Sequence, residues 1–290
     1  MKKLPSFIII GAMKSATTTL YEQLRLQEGI YLPSLKEPNF YSDNNVFKLG
    51  HEWYESLFIN AKTDDIIGEA STHYTKLPTH PCTIPRLVEH NQKVSKFIYV
   101  MRHPVNRLIS HYIHGWTENK IKVSINEAIF NHPELIEYSL YSKQLEPWLT
   151  QFGTHSILPV FFERFMSYKE EELNRVCKFI GYESCPSWIE DSEKTNVSSE
   201  RIRRFPFYSI LVDSQIAAFL RKNFVPVSLR NSIKERLQMK RRPVLSEDNI
   251  KYLQEIFNRD LAVLGTNLGI KLNCDNYLDT VVQATPNWIE

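Results

Sequence analysis

The chain has 290 residues, 42% of them hydrophobic, and its 35 basic and 33 acidic side chains leave a formal charge of +2. That length and apolar content suffice for a sizeable core, and the near balance of charge gives no argument for nucleic acid or a membrane surface as partner. No stretch approaches the ~20 apolar residues of a membrane span, and Cys82, Cys177, Cys185 and Cys274 are scattered without metal-ligand spacing; the expectation is a soluble, cytoplasmic protein without structural zinc.

The first element is Phe7-Ile8-Ile9-Ile10, a run that predicts a strand buried on both faces, as in a parallel sheet. Gly11 lets the chain turn, and Thr17, Leu20 and Leu24 have the start and spacing of a helix. Between them, Lys14, Ser15, Ala16, Thr17, Thr18 and Thr19 gather one ammonium, several hydroxyls and the free N–H groups of a helix N-terminus, a combination that binds anions. Alone, the stretch also reads as an ordinary strand-helix junction whose hydroxyls cap the helix. The ATP-binding pattern G-x-x-x-x-G-K-[ST] is not met, because Lys14 follows Gly11 by three residues and no second glycine precedes it.

Gly11-x-x-Lys14-Ser15-x-Thr17-Thr18 after an apolar strand resembles the 5′-phosphosulfate loop of sulfotransferases that use 3′-phosphoadenosine 5′-phosphosulfate (PAPS). The resemblance implies an α/β, P-loop-NTPase-like three-layer fold, with a central parallel sheet flanked by helices, and Lys14 to Thr19 as cofactor-binding residues with Lys14 also catalytic. Further on, Lys36-Glu37-Pro38-Asn39-Phe40-Tyr41 resembles the Lys-Glu-Pro-His-Phe-Phe segment of carbohydrate-type members, in which the lysine lies near the transferred sulfate. Lys36 would there stabilise an oxygen that becomes anionic as the bond breaks.

Ile66-Ile67-Gly68-Glu69-Ala70-Ser71-Thr72-His73-Tyr74 predicts a strand end carrying a carboxylate, where open α/β sheets collect their chemistry. The segment resembles the Gly-Glu-x-Ser/Thr-Pro-x-Tyr stretch of heparan-type members, with threonine in place of the proline. Two bases are in play: a carboxylate must be held close to the acceptor, while a neutral imidazole starts nearer neutral pH. Glu69 is the favoured base and His73 a substrate contact or relay. A loop from Thr75 to Pro85 and a short helix over 84–90 follow.

Lys96 to Met101 predicts a strong strand, and Pro104 belongs in the first turn of the next helix. Arg102-x-Pro104-x-x-Arg107-x-x-Ser110-x-Tyr112 resembles the family's 3′-phosphate motif. Arg102 would offer a planar fork and Ser110 a hydroxyl, with Arg107 bracing from behind. Helices are expected over 125–130, 138–152 and 168–180, the last closed by Gly181, with a strand from Ile157 between. Tyr141, Leu145 and Trp148 share one helical face, of which Tyr141 borders the acceptor cleft.

In the last third, 205–235 has an apolar helical pattern suited to shaping acceptor recognition, and Lys240-Arg241-Arg242-Pro243 aligns loosely with a basic lid. Lys240 and Arg241 are its candidate nucleotide contacts. No repeat or linker divides the chain, which reads as a single domain over 1–290, with 185–290 supplying lid and acceptor-site elements. The resemblance implies transfer of the sulfuryl group of PAPS to a hydroxyl or amine of a carbohydrate, glycolipid or secondary metabolite, leaving PAP, with no metal. The alternatives are a small-molecule P-loop kinase and a nucleotide-binding protein without turnover.

Overall fold

A computed structural model describes residues 3–190, Met239 and 241–289. The expected helical pattern over 205–235 and Lys240 lie outside the described residues. Five parallel strands form one sheet: β1 (Phe7–Gly11), β2 (Ile30–Tyr31), β3 (Ile66–Ala70), β4 (Lys96–Met101) and β5 (Ile157–Phe161). Their order is β2-β3-β1-β4-β5. From β1 the chain passes to the edge strand β2, returns to β3 beside β1, and then crosses to β4 and β5 on the other side, so the carboxyl ends of β1, β3 and β4 meet where the winding reverses. Open α/β sheets place ligands at that point.

The strands are apolar on both faces because both faces are covered. Ile8 and Ile10 of β1, with Phe97, Tyr99 and Met101 of β4, belong to one core. Phe7 and Ile9, with Ile98 and Val100, belong to the other. Each such side chain taken wholly out of water is worth about 1.5–3 kcal/mol, which is what holds β1 at the centre. The second core is closed by α1 (Thr17–Arg25) and α10 (Lys169–Phe179). On the first lie α3 (Gly50–Ser56), α4 (Thr83–His90), α5 (Pro104–Thr117), α8 (Tyr141–Phe152), α11 (Glu247–Asn267) and α12 (Tyr277–Gln283). The remaining α-helices among the described residues are α2 (Asn44–Phe47), α6 (Ile125–Asn131), α7 (Glu134–Glu137) and α9 (Phe162–Ser167).

The helix expected over 138–152 begins only at Tyr141, as α8, and its N-terminus is decided from far away. The Asp260 carboxylate of α11 accepts the N–H groups of Ser142 at 3.0 Å and Lys143 at 3.1 Å, capping α8 from another helix. Gly181, φ 86°, ends α10 as its sequence position predicts.

Gly11 closes β1 in a space with no room for a side chain. A Cβ there would lie 2.2 Å from Thr75 Oγ1 and 2.6 Å from Tyr99 Cε2. Thr75 cannot swing away without breaking its hydrogen bond to the Ile10 carbonyl, 2.7 Å. Gly11→Ala is therefore expected to destabilise the fold by about 1–3 kcal/mol, the usual cost of overpacking. Denaturant unfolding checks this, and an unchanged midpoint would mean that the turn is far more yielding than its packing implies.

Candidate active site

The turn between β1 and α1 is anchored from its own strand neighbour: the Ala12 N–H donates to the Val100 carbonyl at 2.8 Å. Lys14 (φ 71°) and Ala16 (φ 65°) adopt left-handed backbone, which costs a residue other than glycine on the order of 1–3 kcal/mol and collects at functional turns. Ala16 is the N-cap of α1 and no side chain caps the helix, so the hydroxyls of this turn do not serve as helix caps. The N–H groups of Ala16 to Thr19 take no acceptor among the described residues, and the Ser15 hydroxyl is buried without a partner. Free donors at a helix start form an anion site.

Two further cations reach this turn. Burial holds the Lys14 ammonium below the usual lysine range, and the charges of Arg102 and Lys36 lower it further. Three positive groups so placed favour a bound anion. Arg102 leaves β4 with its guanidinium 4.4 Å over the Phe162 ring and donates from Nη1 to the Lys14 carbonyl at 3.4 Å. Its Nε is buried and unpartnered. Ser110 stands nearly two turns into α5, partly exposed. Arg107 is wholly buried, with Nε on Ser139 Oγ at 2.5 Å and Nη2 on the Leu135 carbonyl at 2.7 Å, the brace expected of it.

Tyr141 corrects one expectation. It does not border an acceptor cleft: it is fully buried and donates to the Arg102 carbonyl at 2.5 Å, which fixes the turn carrying Arg102. Of the expected lid, Arg241 is exposed. Its neighbour Arg242 donates to Asn106 Oδ1 of α5 at 3.4 Å, and its charge acts on Arg102.

The loop after β2 brings in Lys36 together with a carboxylate that the sequence reading passed over. Lys36 Nζ donates to Glu37 Oε1 at 2.6 Å, and Glu37 Oε2 accepts the Thr72 N–H at 2.8 Å. The Glu37 side chain remains partly exposed, 28%. Left-handed backbone at Glu37 (φ 59°) and Asn39 (φ 54°) is the signal that could have marked this segment, but it is a property of the folded chain. Glu69, in contrast, is wholly enclosed. Its Oε2 accepts the hydroxyls of Tyr54 and, at 3.2 Å, Tyr74. Burial pushes its carboxyl up to about 7, against the opposing hydrogen bonds.

His73 is partly exposed and stacks on His80, centroids 4.9 Å apart. Burial and the nearby Lys76 and His80 lower His73 to about 4, so the ring is neutral at pH 7. Around it lies a cationic face. Lys76 is 7% exposed, its ammonium 5.8 Å from the Tyr138 ring centroid, and burial lowers it to about 8. Arg107, Lys120 and Lys36 add to that push, and among the described residues Glu37 opposes it. His111 and His114 of α5 are also kept neutral by burial, with Lys14 and Lys76 in range of both.

Comparison with known proteins agrees with this fold. A family model described as a sulfotransferase domain matches residues 4–264. Mouse heparan sulfate glucosamine 3-O-sulfotransferase 3B1 is 32% identical over 189 residues, covering 62% of this chain and 47% of that protein. Mouse bifunctional heparan sulfate N-deacetylase/N-sulfotransferase 4 is 29% identical over 199 residues, covering 61% and 22% respectively. The chain thus spans about half the length, or less, of these curated relatives. Among solved structures, a sulfotransferase from Alicyclobacillus acidocaldarius shares the fold with a TM-score of 0.66 at 20% identity, over 93% of this chain and 98% of that one. No helix among the described residues is long and apolar enough to cross a membrane, and they contain no cluster able to hold a metal ion. The match from residue 4 to 264 takes in β1, both cationic turns and most of α11, and on that extent the chain belongs to the sulfotransferase family, whose members draw the sulfuryl group from PAPS.

Proposed function

We propose that the chain transfers the sulfuryl group of PAPS to a hydroxyl or amine of an acidic carbohydrate, with Glu37 as the base. The observation that carries this reading is the partly exposed Glu37 carboxylate beside Lys36, within reach of the three-cation turn. PAPS supplies an electrophilic sulfuryl group and a phosphate leaving group. The residues present fit it: Lys14, the orphaned Ser15 hydroxyl and the free N–H groups of Ala16 to Thr19 suit its 5′ end. Arg102, with its unsatisfied Nε, and Ser110 suit the 3′-phosphate, with Arg242 alongside.

Glu37 takes the proton of the acceptor, and Thr72 and Lys36 keep its carboxylate oriented. Lys14 and Lys36 offset negative charge that develops at the leaving oxygen. Glu69, the base favoured on sequence, is walled off from an acceptor by its tyrosines. His73, neutral at pH 7, serves as an acceptor contact. Lys76, whose opposing charge among the described residues is Glu37, favours an acceptor that carries a carboxylate or sulfate. The curated relatives, named for heparan sulfate, support a carbohydrate.

Incubation with PAPS and paired acidic and neutral oligosaccharides, read by intact mass, tests the reading. A sulfate increment on the acidic member alone is expected. PAP binding without any increment on either would instead identify a nucleotide-binding protein without turnover. Arg102→Ala is expected to weaken PAP by about 10–100-fold, the loss of one or two charge-assisted hydrogen bonds. Unchanged affinity by calorimetry would remove Arg102 from the 3′-phosphate site.

A further inference from the structure

Glu69 is an ionisable group beside the site that the proposed reaction does not use. The residues that follow it hold the loop of Glu37 by its backbone: the Glu37 N–H donates to the Ala70 carbonyl at 2.9 Å and the Asn39 N–H to Ser71 Oγ at 3.0 Å. Side chains hold the same loop from its other end. Phe40 stacks on Tyr54 with centroids 4.6 Å apart, and Tyr41 packs on Tyr54 at 5.1 Å and Tyr74 at 5.7 Å. Tyr54 and Tyr74 are the two phenols that donate to Glu69 Oε2. The carboxyl is therefore the polar hub of an aromatic box whose other walls, Phe40 and Tyr41, continue the loop of Glu37.

That loop needs such a clamp. Glu37 and Asn39 both sit in left-handed backbone, a conformation that persists in residues other than glycine only where the surroundings over-determine it. We propose that Glu69 is a positioning residue, which from inside the aromatic box holds the strained turn at Glu37 in the geometry that serves the acceptor. This role rests on the reading of Glu37 as the base. The groups that face Glu69 are Tyr41, Tyr54, Tyr74, Ser71 and the Glu37 carboxylate, whose charge adds to the effect of burial. The balance brings Glu69 to about 7. Its ionised form is the stronger acceptor for the two phenols, so the clamp tightens as pH rises through that value.

Glu69→Gln, Glu69→Ala, Tyr54→Phe and Glu37→Gln in the full chain test this, with PAP calorimetry as the control for fold and nucleotide site. Glu69→Gln preserves an acceptor for the phenols and is expected to keep kcat within about tenfold of wild type. It should also lose a rise in kcat near pH 7 that wild type shows. Glu69→Ala is expected to lower kcat by about 100-fold, as loss of positioning does, with KM for PAPS unchanged, and Tyr54→Phe to fall between. If Glu69→Gln were as inactive as Glu37→Gln while binding PAP normally, Glu69 would be the base itself and the proposal overturned. Wild-type turnover in Glu69→Ala, or an unaltered pH profile in Glu69→Gln, would overturn it as well. Should Glu69→Ala fail to fold, the pH profile of Glu69→Gln and the rate of Tyr54→Phe decide. Full activity in Glu37→Gln would remove the base reading and this role with it.

Discussion

Glu37→Gln is expected to lower kcat by about 10²–10⁴-fold, the range that a positioned general base contributes, while leaving PAP affinity unchanged. The substitution keeps side-chain size and an oxygen for the Thr72 N–H, but the amide cannot take a proton from the acceptor at neutral pH. The ion pair with Lys36, 2.6 Å in wild type, is lost besides, together with the carboxylate's charge near Lys76 and Glu69. Lys36→Ala is the companion that separates the two effects, since it removes the pair and keeps the carboxylate. Steady-state rates at saturating PAPS give the comparison. A Glu37→Gln enzyme within tenfold of wild type would move the base elsewhere, and the neutral imidazole of His73 would be the next group to replace.

Lys14→Ala is expected to cost about 10²–10³-fold in kcat, the scale of removing one group that stabilises charge appearing in the transition state. Its effect on PAP affinity should be much smaller. The asymmetry follows from the surroundings. On the proposed reading Arg102, Ser110 and the free N–H groups of Ala16 to Thr19 remain to grip the nucleotide when Lys14 is gone, while the leaving oxygen loses one of its two ammonium groups. Removing Lys14 also relieves a crowd of cations with Arg102 and Lys36, which offsets part of the lost binding. Arginine at this position should not rescue the rate, because a planar fork cannot stand in for a compact ammonium on a buried, left-handed turn. Retention of near wild-type turnover in Lys14→Ala would place the reacting centre away from this turn.

The two anion turns were legible in the sequence for a local reason. Strand, turn and helix follow one another within about fifteen residues in each case, so the apolar run, the glycine or proline, and the polar donors all appear in one contiguous pattern. The parallel sheet was legible for a related one, since Ile8-Ile9-Ile10 and Phe97-Ile98-Tyr99-Val100 leave no polar face and so demand cover on both sides. The helix over 138–152 was read too long. The cap that starts α8 is Asp260, more than a hundred residues away, and local spacing carries no trace of it.

The choice between Glu37 and Glu69 shows where the boundary falls. Both are glutamates in short motifs, both follow a strand or stand at its end, and their intrinsic proton affinities are alike. Folding separates them by enclosing one among Tyr54, Tyr74 and Tyr41 and leaving the other partly exposed beside Lys36. Sequence by itself determined the parallel strands and the two cationic turns, because each depends on residues adjacent along the chain, and its resemblance to sulfotransferases implied the fold class and the kind of nucleotide. Only the tertiary structure decided that Glu69 is enclosed while Glu37 stays partly exposed beside Lys36, that Tyr141 braces Arg102, and that Lys76 stands among cations. Burial and electrostatic surroundings are set by neighbours in space, and no local pattern of residues specifies those.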